Sequence, residues 1–359
     1  MKPLLDASPA GGAIIGVHGS TRLPAVDVDG YNIELRDNDG FVGDRVSKKA
    51  FYALLDKWRK TVRKDAPDPL GKRKSDKISK RQLDALLAVD DPIAAGLVHS
   101  VVEEFAQEFA GVVTEFLKVK EWKGTQRIVV GGGMRSRQIG TLVQGRADLL
   151  LKSGEVPVEL VPIRNDPDDA GLIGAVHLVP PWIFEGRNAI VAVDIGGTNM
   201  RVGIVKLNLR KGADLSKVAV WRRKVWRHRD QKTTRDDAIE QLANLIKGLV
   251  AAAAKARLNL APFIGVGCPG RIEGDGSIAS GAQNLPGNWE SNRFNLPNDL
   301  KAAIPKIGDH ETQVLMHNDA VVQGLSEVPF MQDVKHWATL TLGTGLGNVR
   351  FTNRQSTDE

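Results

Sequence analysis

The sequence predicts an α/β protein of two lobes, and three features lead there. Strand-like apolar runs alternate with helix-like periodic segments along most of the chain. Three of those apolar runs end in glycine-rich turns, at 131–133, 196–197 and 343–347. A chain of 359 residues with 42% hydrophobic content is long enough to fill more than one core.

Each element follows from its own pattern. Helical spacing of apolar residues predicts helices around 47–64 and 91–118, then strand 127–131 (RIVVG), helix 136–152, strand 157–162 (PVELVP) and a short helix at 169–178. Pro180, Pro181 and Gly186 interrupt both periodicities, so VPPWIFEGRN at 179–188 is the expected boundary, with lobes at 1–178 and 188–359. Beyond it the pattern predicts strands 189–195, 200–207 and 217–226, helix 235–257, strand 262–267, helix 297–304, strand 312–316, helix 319–326 and strand 336–342. The AAAA run at 251–254 suits the long helix in which it falls.

Charge and cysteine usage narrow the class. One cysteine, Cys268, leaves no intrachain disulfide framework and no multi-cysteine zinc site. A net charge of +6 and a pI near 9.3 favour anionic partners without naming one. The basic residues concentrate at 57–81, where Pro67, Pro69 and Gly71 predict a solvated loop between two helices. A second concentration at 221–232 alternates Trp221, Val225 and Trp226 with Arg and Lys, as an edge strand does. Neither segment makes nucleic acid the expected partner. No run of about 18 apolar residues occurs and the start carries no signal-peptide pattern, so a cytoplasmic protein with no membrane association is expected.

The glycine turns carry the chemistry. In DIGGTN, Gly196 and Gly197 let backbone N–H groups approach a phosphate closely, and Thr198 adds a hydroxyl. Asp194 ends a buried apolar strand, where an unpaired carboxylate is costly unless it serves a metal or a water network. TLTLGTGLG repeats the strand-to-glycine arrangement with Gly343, Thr344 and Gly345, and IVVGGGMRS repeats it with Gly131, Gly132 and Gly133. In VLMHNDA a strand delivers Asn318 and Asp319 to the start of a helix, where open α/β folds place their active residues. Asp319 is a candidate general base, but either residue could equally be a helix N-cap.

As a set, DIGGTNMR, GVGCPG (265–270), QNLPGNW (283–289), HNDA, LGTGLG, VVGGG and AGLIGAVHL resemble the sugar kinases of the repressor, ORF and kinase (ROK) family. The resemblance implies a two-lobed actin/hexokinase-like (ribonuclease H-like) ATPase fold with a central cleft, acting as a hexose or amino-sugar kinase of glucokinase type. It implies ATP and Mg2+, with Asp194, Gly196, Gly197, Thr198, Gly343, Thr344 and Gly345 at the phosphates, Asp194 toward the magnesium, and Gly131, Gly132 and Gly133 at the adenosine. Asp319 matches the catalytic base; Asn284 and Asn318 match contacts to the sugar hydroxyls. The segment order differs from the family's. There DIGGT opens the chain and the GGG and GLIGA-like segments close it, so this sequence looks circularly permuted, with 1–178 matching the family's C-terminal lobe and 188–359 its N-terminal lobe. The continuation of GTGLGNVRFTN is then expected in residues 1 to about 30, with the segments near Phe351 and Ala13–Val17 close together and both chain ends loose.

Two departures accompany the resemblance. Residues 18–51, which correspond to the family's sugar and zinc motifs, hold no cysteine, so no structural zinc is expected. Nor do they hold a Glu-x-x-His, for which His18 or Asp44 are the available substitutes. Alternatives to a kinase therefore stay open: a sugar- or nucleotide-binding protein of this type with weak or lost catalysis, or a ROK-type regulator. The sugar, the choice between ATP and polyphosphate as donor, and homodimer formation are not fixed by the sequence.

Overall fold

The computed structural model describes residues 15–133 and 138–354. Residues 13–14, both chain ends and the expected helix start at 136 lie outside the described residues.

Ten strands make the two main sheets: β1 (Val26–Tyr31), β2 (Arg127–Gly131), β3 (Glu159–Pro162), β4 (Ala189–Ile195), β5 (Met200–Lys206), β6 (Ala219–Trp226), β7 (Leu260–Cys268), β8 (Gln313–Asn318), β9 (His336–Leu342) and β10 (Leu346–Asn353). The helices are α1 (Lys48–Val62), α2 (Lys80–Leu86), α3 (Pro92–Lys118), α4 (Gln138–Ser153), α5 (Pro167–Gly174), α6 (Arg235–Lys255), α7 (Leu296–Ala303) and α8 (Asp319–Leu325). The expected helix at 169–178 thus ends as an α-helix at Gly174 and tightens to a 3-10 turn over Ala175–Leu178.

Sheet A has the order β1-β10-β9-β2-β3 and sheet B the order β8-β7-β4-β5-β6. In sheet B, β4 pairs antiparallel with β5 and β5 with β6, while β4, β7 and β8 run parallel. Sheet A repeats this: β9 pairs antiparallel with β10 and β10 with β1, while β9, β2 and β3 run parallel. The two sheets have the same strand order and directions once β1 is counted after β10. Val26 faces Asn353 across that pair and Val28 faces Phe351, so the two ends of the described chain share one ladder. This topology divides the chain differently from 1–178 and 188–359, because β9 and β10 hydrogen-bond into sheet A rather than with the strands that precede them.

Local sequence explains the layers. The run AIVAVDI of β4 is apolar on both faces, as a central strand covered on both sides must be, and only Asp194 in it is not fully buried. Helix α3 starts at Asp91, whose carboxylate accepts from the Ile93 and Ala94 N–H groups, with Pro92 following; its buried face runs from Ala94 through Phe105 and Phe109 to Phe116. With α1 and α4 it covers the outer face of sheet A. Helices α6 and α7 cover the outer face of sheet B. Between the sheets, α5 and α8 form the middle layer, packing Leu172, Val321, Val322 and Leu325 against Val129 and Phe351 of one sheet and Ile190 and Ala192 of the other. The two helices cross at Gly174, where an added Cβ would overlap the Val322 carbonyl.

The basic stretch 57–81 links α1 to α2 through a mostly exposed loop, as expected, but the loop is gathered around a buried side chain. Arg59, 1% exposed, donates to Asp68 (2.9 Å), the Ser75 hydroxyl (2.7 Å) and the Gly71 carbonyl (2.9 Å), folding the segment around one buried guanidinium. The Ser75 hydroxyl in turn donates to the Asp56 carboxylate at 2.6 Å. The stretch 221–232 begins, as expected, in an edge strand, β6. Among the described residues no helix is long and apolar enough to cross a membrane.

Candidate active site

Parallel strands end on the same edge of a sheet, and that edge collects the polar residues of sheet B. Asp194 on β4 lies beside Gly267 on β7, which lies beside His317 on β8; Cys268 lies beside Asn318 one step further. Gly267 is small where α8 begins, since an added Cβ would stand 3.5 Å from the Asp319 Cα and 3.3 Å from Val322. In sheet A the corresponding edge aligns Thr341 of β9 with Gly131 of β2, bringing the 343–345 and 131–133 turns side by side. Gly132 takes φ +86°, and an added Cβ would come within 2.7 Å of the Leu342 nitrogen, so that turn needs glycine twice over. Helix α8 spans the two edges: its Ala320 meets Gly347 of β10, and the Gln323 amide lies near Gly131.

Three side-chain arrangements and one close backbone define the electrostatics. Asp194 accepts from Arg201 at 3.1 Å, and Arg201 reaches on to Asp168 of α5 at 2.7 Å. Burial raises the Asp194 pKa, Arg201 opposes that and Asp168 adds to it. Asp319 is half-buried; burial first and the Asp194 charge second push its carboxyl up to about 7, against the Ala320 N–H that donates to it at 3.0 Å. The Cys268 thiol, fully buried between them, is pushed up by burial and by both carboxylates. The backbone of α5 closes on this group, because a Cβ at Gly171 would lie 2.7 Å from the Asp194 carboxyl carbon.

The first glycine turn is held from below and open above. Gly196 donates to the Asn199 carbonyl at 2.9 Å, and the buried His228 lies with Nε2 2.8 Å from the Gly196 carbonyl. Gly197, Thr198 and the rest of the turn are partly exposed. Asn284 is exposed, and a Cβ at Gly197 would touch its side chain at 3.0 Å, so these two sites meet. In the second turn Gly343 donates to the Gly345 carbonyl at 3.0 Å, while Thr344 and Gly345 face solvent. Gly133 is exposed as well.

One expected site residue faces inward. Asn318 is 0% exposed and caps α8, its Oδ1 accepting from Ala320 (2.9 Å) and Val321 (3.3 Å) and its amide donating to the Gly270 carbonyl (3.0 Å). It is the N-cap of the two candidates, which leaves Asp319 as the first helical residue with a carboxylate that does not have to cap. Arg201, Asp168 and His228 are the site residues that pattern reading did not single out. Arg201 follows the DIGGTN turn in β5, directly opposite Asp194 in the antiparallel register, and only that pairing reveals it.

Asp194 is a hard oxygen donor, partly exposed at the edge of sheet B beside the open 196–199 turn, and suits a divalent cation that already carries phosphate oxygens. A magnesium–nucleotide fits that donor set and the open turns beside it. Among the described residues no group of three or more His, Cys, Asp and Glu side chains is placed to hold a metal by itself.

Two sheets of repeated topology, with an acidic residue at the end of the first strand of sheet B and glycine turns at the edges of both, make an α/β protein of two like halves. The ROK family model matches residues 190–356, under half of the chain. The glucokinase of Thermotoga maritima is 29% identical over 160 residues, covering 44% of this chain and 43% of that enzyme; the chain therefore spans under half the length of the curated relative it matches. Among solved structures, a candidate sugar kinase from Cytophaga hutchinsonii is 19% identical with a TM-score of 0.35, over 46% of this chain and 48% of that one. A candidate N-acetylmannosamine kinase from Listeria monocytogenes is 26% identical with a TM-score of 0.33, over 46% and 47%.

Proposed function

We propose that this chain is an ATP-dependent sugar kinase whose catalytic base is Asp319. The observation that carries the reading is the position of that carboxylate: at the carboxyl edge of sheet B, at the start of the helix that joins both glycine edges, with its pKa pushed up to about 7. A base of that strength takes a proton from a hydroxyl as the hydroxyl oxygen attacks phosphorus, and it is ionised at neutral pH for a large share of the molecules. Asn284, exposed beside Gly197, orients the sugar, while Asn318 fixes the base by capping α8. Gly196, Gly197 and Thr198 hold the transferred phosphoryl group from one side and Gly343, Thr344 and Gly345 the preceding phosphates from the other, with Gly131–Gly133 beneath the adenosine. Asp194, steadied by Arg201, would hold Mg2+, which when bound offsets the phosphate charge during transfer.

We also read the chain as circularly permuted. Counting β1 after β10 makes the two sheets alike, and a comparison that follows chain order can match only up to the cut, which agrees with a family match confined to 190–356. In this reading the lobes are 189–318 on one side, and β1 to β3 with β9 and β10 on the other. A coupled ADP-release assay with ATP over a panel of hexoses, amino sugars and N-acetyl amino sugars tests the function. ADP formation that depends on one sugar class supports it; no ADP with any sugar of the panel refutes it.

A further inference from the structure

Two lysines stand at the glycine edge of sheet A, one through its ammonium and one through its backbone. Lys80 Nζ donates to the Gly133 carbonyl, and the Lys48 backbone N–H donates to the Gly343 carbonyl at 2.9 Å. Because Gly132 packs on Leu342, those two carbonyls belong to adjoining turns. The Lys48 ammonium lies over the Tyr52 ring of its own helix, 5.9 Å from the centroid, and its charge, after burial, lowers the Lys80 pKa to about 8. Among the described residues neither ammonium has a carboxylate within salt-bridge distance. Asp84, one turn along α2, offsets part of the charge, but its carboxylate accepts from the Ile139 N–H at 3.0 Å. Lys48 and Lys49 also open α1, whose first turn holds no acidic residue. Cations at the start of a helix oppose its dipole, so the sequence maintains an unfavourable arrangement at the mouth of two open turns. A bound polyanion turns each of these costs into a gain.

We propose that Lys48 and Lys80 form a clamp for a polyphosphate chain, contributed by sheet A and lying across the 131–133 and 343–345 turns. The inference rests on the nucleotide reading for its natural ligand, the phosphate chain of ATP, and shares its chemistry with inorganic polyphosphate. The two ammonium groups take the non-bridging oxygens of the phosphate that precedes the transferred one, and the N–H groups of the 343–345 turn take the rest.

Calorimetric titration of the full chain with ATP, AMP and inorganic tripolyphosphate tests it, using the parent, Lys48→Met, Lys80→Met and Lys80→Arg, each checked by thermal melting. Hydrogen bonds between charged partners are worth enough that ATP and tripolyphosphate should each bind roughly ten- to a hundredfold more weakly to either Met variant. AMP, lacking the chain, should bind as to the parent, and Lys80→Arg should retain most of the affinity. Exposed Lys48 keeps the test valid even if Lys80→Met disturbs its turn. The clamp is refuted if both Met variants hold ATP and tripolyphosphate like the parent, or if AMP weakens equally. Lysine-independent ATP binding refutes the clamp and leaves the kinase reading standing. Lysine-dependent tripolyphosphate binding without ATP binding supports the clamp and removes the ATP reading; binding of neither by the parent removes both.

Discussion

Replacing Asp319 with Asn should make the protein more stable relative to the parent as pH rises. The folded carboxyl titrates near 7 where an ordinary aspartate titrates at 3.8, so the folded state binds its proton more tightly than the unfolded chain does. For a raised acid, stability is fullest at low pH and is lost as pH climbs from about 4 through 7. Three units at about 1.4 kcal/mol each set an upper limit of about 4 kcal/mol for the whole window. Water reaches the half-buried carboxylate and screens it, which brings the expected change between pH 5 and pH 8 to on the order of 1–2 kcal/mol. Asn retains the oxygen that accepts the Ala320 N–H, so the helix start is preserved while the charge is removed. Urea midpoints of both proteins at pH 5 and pH 8 give the comparison. The gap in favour of Asp319→Asn should widen at pH 8; a gap that is constant or narrows means Asp319 is not held as a destabilised carboxylate.

Other substitutions test the framework around it. Arg59→Met takes one of two arginine partners from Asp68, whose side chain is 6% exposed and which keeps Arg63, and removes the donor to the Gly71 carbonyl; it should cost about 1–3 kcal/mol in urea unfolding, whereas an arginine free in solvent would lose almost nothing. Gly174→Ala forces α5 and α8 apart at the Val322 carbonyl, with an expected loss of about 1–3 kcal/mol by the same measurement. A chain recut within 179–188, with its original ends linked, should fold to the same circular dichroism spectrum; failure to fold would contradict the repeated-sheet reading.

Much of the fold was legible because its signals are local. Continuous apolar runs announced β4, β5, β7 and β9, and the Asp91-Pro92 start and long apolar face announced α3. What was missed depends on partners far along the chain. β1, with Asp27 and Asp29 in its VDVDGY run, is a weak strand by composition and exists because β10, some 320 residues away, offers its edge. The 1–178 and 188–359 division drew β9 and β10 to their chain neighbours, whereas their hydrogen bonds go to β2 and β1. Helix α2 and the fold around Arg59 hid inside a basic stretch, since charge density reads as solvation unless a buried ion pair is known. At the site, the glycine turns and Asp319 were readable from strand-to-turn grammar. The choice of Asn318 over Asp319 as cap was not, because both side chains suit that position and only packing separates them.

The central claim is tested most directly by single-turnover phosphoryl transfer from ATP to the best sugar of the panel, comparing the parent with Asp319→Asn at pH 8 under conditions where both melt alike. Loss of the general base should slow transfer by at least about a hundredfold, with sugar and ATP binding little changed. In the parent the rate should fall as pH drops below about 7 as the carboxyl takes up its proton. An Asp319→Asn variant that transfers phosphate at the parent's rate would show that this residue only begins a helix, and that the chemistry lies elsewhere.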